Sequence, residues 1–450
     1  MITKKERIVL VTLFAVLSLS TLLMAGDCPI PDTGQTKCYS NDSEITCPSP
    51  GEPFYGQDAQ YICNPQSYTS LADGDMVQDN VTGLVWENKT EDGSIHDKGN
   101  IYIWNDAQSI FITTLNKDNF GGYSDWRLPT VMELSFLVDR YSYDPSINTT
   151  YFPNTKSSYY WSSTNDADDP NYAWLVGFNG GGVGGGASKS GNQYVRAVRG
   201  EQCEPFDNFI DNGDGTVTNT DTGLMWQQDT APTTYSWQEA LYYCENLTLA
   251  SHKDWRLPNI NELQSLVDYT RYEPTINTDY FPNTVVSSPY WSSTTYVGFY
   301  DKDSAWVVSF SGGDVYVYGL GKSYYPTYVR AVRGGQCGSF DTSTTTTVAS
   351  TTTTISGSTT STISGSTTTT TIIAPCPTES LYGENSKQTE LLRYLRDNIL
   401  STTPEGQEII RLYYELSPVI IKMMEENEKF KAQVKEMIDG ILQLIKGEVE

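Results

Sequence analysis

Apolar residues recur with the period of an α-helix in two separate stretches of the chain, and both stretches begin with a tryptophan. In the later stretch Ser236 and Glu239 also form a capping-box pattern, which marks the start of a helix. The apolar face there consists of Trp237, Ala240, Leu241, Cys244 and Leu247. The earlier stretch has the same face at Trp104, Ala107, Phe111 and Leu115. The pattern therefore predicts one core-facing helix in each stretch.

A second helix is predicted directly after each of two Trp-Arg-Leu-Pro segments. The proline disfavours helix in the residue before it, and the residue that follows it, Thr130 or Asn259, is a favoured N-cap. Glu133 and Glu262 then occupy the third helical position and complete a capping box. We interpret both glutamates as capping residues and not as catalytic carboxylates.

Short strand-like runs separated by turn residues follow the second helix. In the later stretch they cover 290–294, 305–310, 315–318 and 328–333, and a turn at 211–215 predicts a hairpin ahead of the helices. We interpret 211–215 as a plain turn, because Ile210 stands where a calcium loop needs an acidic ligand. Two helices and clustered strands predict the α+β fold class, with the helices packed on an antiparallel sheet.

The two stretches are copies of one unit. The decapeptide at 125–134 returns 129 residues later at 254–263, and 194–200 returns letter for letter as 328–334. A period this long indicates a duplicated domain and not a solenoid, whose repeats span about 20–50 residues. We place the repeats at 63–203 and 204–340 and predict that each folds around a core of its own. They differ most after Gly180, where a glycine run takes the place of the strand predicted at 315–318.

The regions outside the repeats differ from them in composition. Residues 1–26 have the basic start, apolar middle and small-residue end of a secretory signal peptide, with a membrane anchor as the alternative. We predict a Cys-containing leader segment at 27–62, a disordered Thr/Ser-rich linker at 341–375 and a small helical C-terminal module at 376–450. The protein is therefore expected to be exported to the cell surface or the extracellular space.

Charge limits the partners. The chain has 29 basic and 55 acidic residues, a net charge of −26, which repels phosphate backbones and anionic lipids. Nucleic acid is therefore excluded as a partner.

Eight cysteines in an exported chain favour disulfides over metal ligation. Cys63 and Cys203 flank the first repeat and are predicted to pair, which leaves Cys244 for Cys337. The pairing of the others stays open; these are Cys28, Cys38, Cys47 and Cys376. Zinc is the weaker alternative, because the chain has only 2 histidines and no Cys-x-x-Cys pair. We predict neither a metal site nor a cofactor.

Four motifs in fixed order, at 223–226, 255–258, 290–294 and 328–334, resemble those of the Lcl C-terminal domain family. The resemblance covers both repeats. It implies a C-type-lectin-like fold, in which the Cys244–Cys337 pairing is similar to a lectin disulfide, and adhesion to host glycans, including sulfated ones. In this chain, however, acidic residues outnumber basic ones 17 to 9 in 64–203 and 16 to 7 in 204–337, which makes sulfated polyanions poor ligands. The calcium motifs of lectins are also missing from the sequence.

The C-terminal region carries a second resemblance. The segment from Cys376 to Pro418 is similar to the CFI-box C-terminal module of bacterial surface proteins, although Pro377 and Thr378 replace the Phe-Ile of its name. This similarity implies a sorting or tethering role through a surface or sorting partner.

We therefore predict an exported bacterial surface binding protein whose repeats recognise an extracellular glycan or protein. The candidate ligand-binding residues are aromatic side chains in the variable part of the second repeat, since aromatic faces with polar edges suit sugar rings and protein surfaces. They are Tyr296, Phe299, Tyr300, Tyr316, Tyr318, Tyr324 and Tyr325. Ordinary sheet packing is the competing interpretation of these residues.

Two other functions compete with ligand binding. The chain could be a structural surface component held by its C-terminal module. It could also be an enzyme, because Trp-Arg-Leu-Pro resembles a segment of formylglycine-generating oxidases. No nucleophile–base set is visible in the sequence, so we predict no catalytic residues. The oligomeric state is not readable from the sequence.

Deletion of residues 376–450 tests the tethering alternative. If the module holds the protein on the cell surface, the shortened protein is expected in the culture medium, as measured by immunoblots of medium and cells. Deletion of 341–375 alone keeps the module and is the matched control. A shortened protein that stays with the cells would contradict tethering.

Overall fold

The computed structural model describes residues 28–203, 206–298, 302–317, 321–334, 381–382, 386–398, 431, 434–435, 438–439 and 442. The predicted signal peptide and Thr/Ser-rich linker lie outside these residues, as do Cys337 and Cys376. The chain divides into two compact units, and the unit Gly26–Ser343 contains both repeats. Among the described residues, no helix is both long and apolar enough to cross a membrane.

The leader segment and the first repeat contain nine strands and two main helices within the described residues, besides the single-turn 3-10 helices Asp58–Gln60, Ala72–Gly74 and Phe120–Gly122. The leader strands are β1 (Cys38–Tyr39) and β2 (Glu44–Ile45). The strands of the repeat are β3 (Tyr68–Leu71), β4 (Met76–Asp79), β5 (Val85–Glu87), β6 (Tyr159–Asn165), β7 (Tyr172–Gly177), β8 (Val183–Ser188) and β9 (Val198–Arg199). Helix α1 is built from Trp104–Asp106, a π-helical segment Ala107–Ile112 and Thr113–Lys117; helix α2 is Val131–Phe136.

The second repeat has the same seven strands and two main helices in the same order, and one further short helix. Its strands are β10 (Phe209–Asp211), β11 (Thr216–Asn219), β12 (Leu224–Gln227), β13 (Tyr290–Thr295), β14 (Ala305–Val308), β15 (Val315–Val317) and β16 (Val332–Gly334). Its helices are α3 (Trp237–Glu245), α4 (Ile260–Gln264) and the short α5 (Gly321–Tyr324). The predicted helices, their capping boxes and the hairpin at 211–215 are confirmed.

Each repeat closes on itself through a four-stranded antiparallel sheet. The strand orders are β3-β4-β5-β9 and β10-β11-β12-β16, so the first and last strands of a repeat lie in one sheet. The strands β6-β7-β8 and β13-β14-β15 instead join each other in a six-stranded sheet. The predicted combination of helices and antiparallel sheets is therefore present, with more sheet than helix.

The six-stranded sheet relates the repeats by an approximate twofold axis. Strand β8 pairs with β15 in antiparallel orientation, and the paired residues are Val183 and Val315. These two residues occupy the same position in their repeats, so each repeat contacts its copy through the same surface, as in an isologous dimer. The glycine-rich run at 180–186 forms the first repeat's strand at this junction.

Side chains on either side of the junction repeat the symmetry. The guanidinium of Arg140 lies over the ring of Trp306, 4.3 Å from its centroid, and Tyr269 packs edge-on against Trp174 with centroids 4.8 Å apart. Arg140 and Tyr269 hold equivalent positions, and so do the two tryptophans. Gly181 has a positive φ of 88°, and a Cβ there would lie 3.3 Å from Trp306. The close packing at the junction therefore requires glycine.

The prediction that each repeat has a separate core is wrong. Each repeat has a cluster of its own between its first helix and the six-stranded sheet. A third and larger cluster, however, contains buried residues from both repeats, including Val183, Val315, Trp174 and Trp306. The reason is the shared sheet, which lets side chains of both copies pack on one continuous face. The repeats therefore form a single structural unit.

The disulfides differ from the predicted pairs. Cys203 bonds with Cys28 and not with Cys63, because the leader folds back and places its first residues beside the start of the repeat. There the N–H of Asp32 donates to the carbonyl of Asn64 at 2.9 Å. Cys63 is disulfide-bonded as well, and Cys38 bonds with Cys47.

The predicted pairing of Cys244 with Cys337 is also wrong. Cys244 is a free thiol, fully buried on the inner face of α3. Its equivalent in α1 is Phe111, which is buried too. The position is therefore a packing position in both repeats.

In the C-terminal unit the longest helix among the described residues is α6 (Lys387–Asn398), and residues 381–382, 431, 434–435, 438–439 and 442 are helical as well. Leu395 on this helix is buried, as are Val434, Ile438 and Leu442. The rest of the predicted helical module lies outside the described residues.

Replacing either junction tryptophan by alanine should destabilise both repeats together. Trp174→Ala and Trp306→Ala are each expected to lower the free energy of unfolding by about 3–5 kcal/mol, because each leaves a cavity in the shared core. Urea denaturation of the exported chain measures the loss. Tyr324→Ala is the control, because this side chain is 81% exposed. Separate unfolding transitions for the two repeats would contradict a shared core.

Candidate ligand-binding site

The approximate symmetry creates two equivalent grooves between the repeats, and the leader segment fills one of them. We call the filled one the leader groove. Its walls come from the end of β13, the start of α4 and the residues after α2. Gln35 reaches the strand end: its amide donates to the carbonyl of Thr295 at 2.8 Å and accepts from the N–H of Thr295 at 2.9 Å. A side-chain amide thereby takes the place of a neighbouring strand.

Other leader atoms contact the walls on both sides. Asn261 donates to the carbonyl of Pro31 at 3.0 Å, and the N–H of Arg140 donates to the carbonyl of Thr33 at 2.8 Å. Gly34 passes so close to Asp139 that a Cβ would lie 2.6 Å from its carboxylate. The leader is therefore held by residues of both repeats.

The leader also brings a buried carboxyl group into the groove. Asp58 accepts hydrogen bonds from the hydroxyls of Thr33 at 2.7 Å and Thr294 at 2.6 Å. Its other oxygen is buried without a hydrogen-bond partner among the described residues. Burial raises the pKa of Asp58 to about 8, and burial likewise raises the pKa of Asp32 to about 6. The folded leader therefore favours protonated carboxyl groups.

A lysine closes the groove from the side of α5. Lys322 is fully buried, donates to the hydroxyl of Thr295 at 2.9 Å and to the carbonyl of Ser40 at 3.0 Å, and lies 4.1 Å from the ring centroid of Trp237. Burial lowers the pKa of this ammonium group to about 7. Its counterpart in the first repeat, Lys189, lies over the matching ring of Trp104 and remains partly exposed.

The second groove is a cavity of about 400 Å³, which we call the open cleft. No described segment of the chain lies in it. A volume of this size is in the range of binding pockets, about 300–1,000 Å³. The lining residues are Met132, Thr164, Asn165, Asp166, Ala167, Gln202, Phe206, Asp207, Phe209, Ser265, Leu266, Val267, Asp268, Tyr269, Thr270 and Asn277.

The lining of the open cleft is the symmetry equivalent of the leader's binding surface. Five residues hold or closely contact the leader, namely Asn261, Thr294, Thr295, Asp139 and Arg140. Their equivalents are Met132, Thr164, Asn165, Asp268 and Tyr269, and all five line the open cleft. The leader segment occupies one of the two grooves, and no described segment occupies the other.

The open cleft is acidic and partly apolar. Its lining includes Asp166, Asp207 and Asp268 but neither lysine nor arginine. Asp166 and Asp268 are half-buried, whereas Asp207 is exposed. The apolar part consists of Met132, Phe206, Leu266 and Val267, all of which are buried.

The structure does not bring the predicted aromatic residues into one site. Tyr296 packs against Trp306 at 5.6 Å on the shared core, whereas Tyr316 packs against the second repeat's own core on the other sheet face. Tyr324 and Tyr325 are 81% and 46% exposed, so they remain available to a ligand. The other three predicted residues, Phe299, Tyr300 and Tyr318, lie outside the described residues.

The charged residues of the recurring motifs have structural partners. Glu133 and Glu262 cap their helices, as predicted, and also form bidentate ion pairs with Arg127 and Arg256, respectively. The motif arginines nearest the repeat ends pair with carboxylates, Arg199 with Asp125 and Arg333 with Asp254.

Arg196 and Arg330, by contrast, donate to backbone carbonyls. Both are fully buried and lie over phenylalanine rings, and they bond to the carbonyls of Glu87 and Gln227. In a domain rich in acidic residues these arginines are expected to pair with carboxylates, but that expectation is wrong, because the segments just before β9 and β16 place both side chains in the interior.

Two observations concern the cysteine and the metal-ligand types of residue. Burial raises the pKa of the Cys244 thiol well above its ordinary value, so the reactive thiolate is disfavoured. In the part of the chain that the structure describes, no group of three His, Cys, Asp or Glu side chains is placed to hold a metal ion.

Sequence reasoning missed the residues of the open cleft. A signal was present in the alignment of the two copies: matched positions change character at Met132 against Asn261 and at Asp166 against Tyr296. A search for residues that recur in both copies does not find such positions. They differ between the copies because one groove is filled and the other is open.

Comparison with known protein families identifies the two repeats. The model of the Lcl C-terminal domain matches residues 75–199 and 215–333, which is more than half of the chain. The chain therefore belongs to the Lcl C-terminal domain family and carries two tandem copies of that domain. Membership of this family indicates a surface or adhesin type of protein. The search of curated proteins gave no match.

Leader docking should weaken as the pH rises. Because the pKa of Asp58 increases on folding from 3.8 to about 8, the folded protein binds a proton that the unfolded chain releases, and stability falls between these pH values. Asp58→Asn keeps an acceptor for both threonine hydroxyls and should reduce this fall, as measured by melting temperatures at pH 5 and pH 8. Asp207→Asn, at an exposed position, is the control. An unchanged pH dependence in Asp58→Asn would contradict the buried neutral carboxyl.

Proposed function

We propose that the protein is an exported surface binding protein and that its ligand occupies the open cleft between the two repeats. The observation that carries this proposal is the equivalence of the two grooves. One groove holds a segment through named polar contacts, and the other offers the matching positions with a cavity of about 400 Å³. Disulfides in the repeat unit are consistent with export.

The ligand of such a cleft is an extracellular glycan or protein. Main-chain groups, hydroxyls and carboxylates in the cleft provide hydrogen bonds, and the buried apolar residues provide contact area. Rigid walls favour binding, because the shared core and six-stranded sheet hold both sides of the cleft in place before a ligand arrives.

Binding is better supported than catalysis. The single free cysteine of the described region is buried inside α3, far from solvent and with a raised thiol pKa. The cleft residues include no histidine or cysteine, and its polar groups are those of a recognition site.

The exposed tyrosines of the second repeat are a competing surface. Tyr324 and Tyr325 lie at the end of α5 and after it, and exposed aromatic rings are common at binding surfaces. Their replacement separates the two candidate sites experimentally.

A screen of extracellular glycans and matrix proteins against the exported chain tests the proposal. Two variants fill the cleft from opposite walls, Ala167→Trp from the first repeat and Thr270→Trp from the second. Both positions are exposed, so folding should be preserved. Each variant is expected to weaken binding of any ligand found by at least about tenfold, or about 1.4 kcal/mol, as measured by surface plasmon resonance.

The matched control is Tyr324→Ala with Tyr325→Ala. Binding that survives both cleft variants but is lost in the tyrosine variant would move the site to the surface around α5. Melting temperatures of all variants confirm that they are folded.

A further inference from the structure

We propose that the ligand of the open cleft is an extended polypeptide segment with basic side chains and a side-chain amide. This inference rests on the proposed function, since it names the class of ligand for the same cleft. Four features of the two grooves support it.

The first feature is the strand end at Asn165. Asn165 pairs with Ala173 across the strands, and its equivalent Thr295 pairs with Ala305. The following residue forms the same cross-strand hydrogen bond in both repeats: the N–H of Asp166 donates to the carbonyl of Tyr172, and the N–H of Tyr296 donates to the carbonyl of Ser304. In an antiparallel pair, successive residues alternate between directing their N–H and C=O groups at the partner strand and directing them away from it. The N–H and C=O of Asn165 therefore point away from the partner strand, just as those of Thr295 point at Gln35. An asparagine or glutamine amide can make the same pair of bonds.

The second feature is the hydroxyl of Thr164. It accepts the N–H of Val131 at 3.0 Å, just as the hydroxyl of Thr294 accepts the N–H of Ile260 at 3.0 Å. In the leader groove the threonine also donates its proton to Asp58. The proton of Thr164 is therefore directed at a ligand acceptor such as a peptide carbonyl.

The third feature is charge. The leader carries six acidic residues and one basic residue over 27–62, and its groove provides the cations Arg140 and Lys322. In the open cleft Tyr269 replaces Arg140, and Asp166 replaces Tyr296. Lys189, the counterpart of Lys322, is not a lining residue, but it donates to the side-chain oxygen of Asn165 beside the cleft at 2.5 Å. This loss of a cation and gain of a carboxylate disfavours the acidic leader of a second copy and favours lysine or arginine in the ligand.

The fourth feature separates a peptide from a sugar. Sugar rings bind best on exposed aromatic faces, but Phe206 and Tyr269 are each only 7% exposed. The third aromatic ring of the lining, the half-buried Phe209, packs against Tyr280 and Phe281. Met132 replaces the polar Asn261, so the cleft instead offers an apolar contact for a side chain. Extended peptides bind in this manner, with main-chain bonds at a strand end and pockets for individual side chains.

Selection from a library of random seven-residue peptides displayed on phage tests the proposal, with the exported chain immobilised. Peptides rich in Lys or Arg and containing Asn or Gln should be enriched on the wild type. The same peptides, made synthetically, should bind Ala167→Trp and Thr270→Trp at least tenfold more weakly. Asp166→Asn combined with Asp207→Asn keeps the shape of the cleft and should lower both the affinity and its dependence on salt.

The outcomes distinguish the ligand class from the site. Enrichment of acidic peptides, or equal binding of the selected peptides to the wild type and both cleft-filling variants, would overturn the proposal. If no peptide is enriched but a glycan from the screen is lost in Ala167→Trp, the ligand class is wrong and the proposed site stands. If a screened ligand binds both cleft-filling variants normally, the site itself is wrong.

Discussion

The pairing of Val183 with Val315 is the contact on which the rest of the molecule depends. It joins two three-stranded sheets into one and fixes the approximate twofold axis, because each valine meets its own equivalent. The stacking of Arg140 on Trp306 and of Tyr269 on Trp174 follows from that axis, as does the large core shared by both copies. Two equivalent grooves are a further consequence, since an isologous interface repeats every feature beside it.

The symmetry is broken by the leader segment, which precedes the first repeat and has no counterpart between the repeats. Only a few residues separate Cys203 from the first strand of the second repeat at Phe209. The leader can therefore fill one groove, and no described segment fills the other. Arg140 and Lys322 are replaced at the open cleft by Tyr269 and the partly exposed Lys189, and Tyr296 by Asp166. Duplication thus gives one groove that holds the leader and one that is open among the described residues.

The charged residues of the motifs that recur in both copies build the fold and are not part of the cleft lining. In both repeats the arginine of Trp-Arg-Leu-Pro forms a bidentate ion pair with the capping glutamate. Arg196 and Arg330, from the last motif, satisfy buried carbonyl groups. A buried charge is costly unless it is paired or hydrogen-bonded. Each of these arginines has such a partner in both repeats, so the arginines and their partners recur together. The positions that differ between copies, such as Met132 and Asn261, face the grooves.

The sequence by itself determined the duplication, the α+β class, the capped helices and most strands, because these depend on local patterns of apolar residues, caps and turns. It also carried the family resemblance. Only the tertiary structure decided how the copies join, since one valine pair among many apolar residues has no local signature. The same holds for the disulfides, because the folding back of the leader brings Cys28 to Cys203 across 175 residues. The cleft, finally, exists only between the copies, where residues far apart in the chain line one cavity.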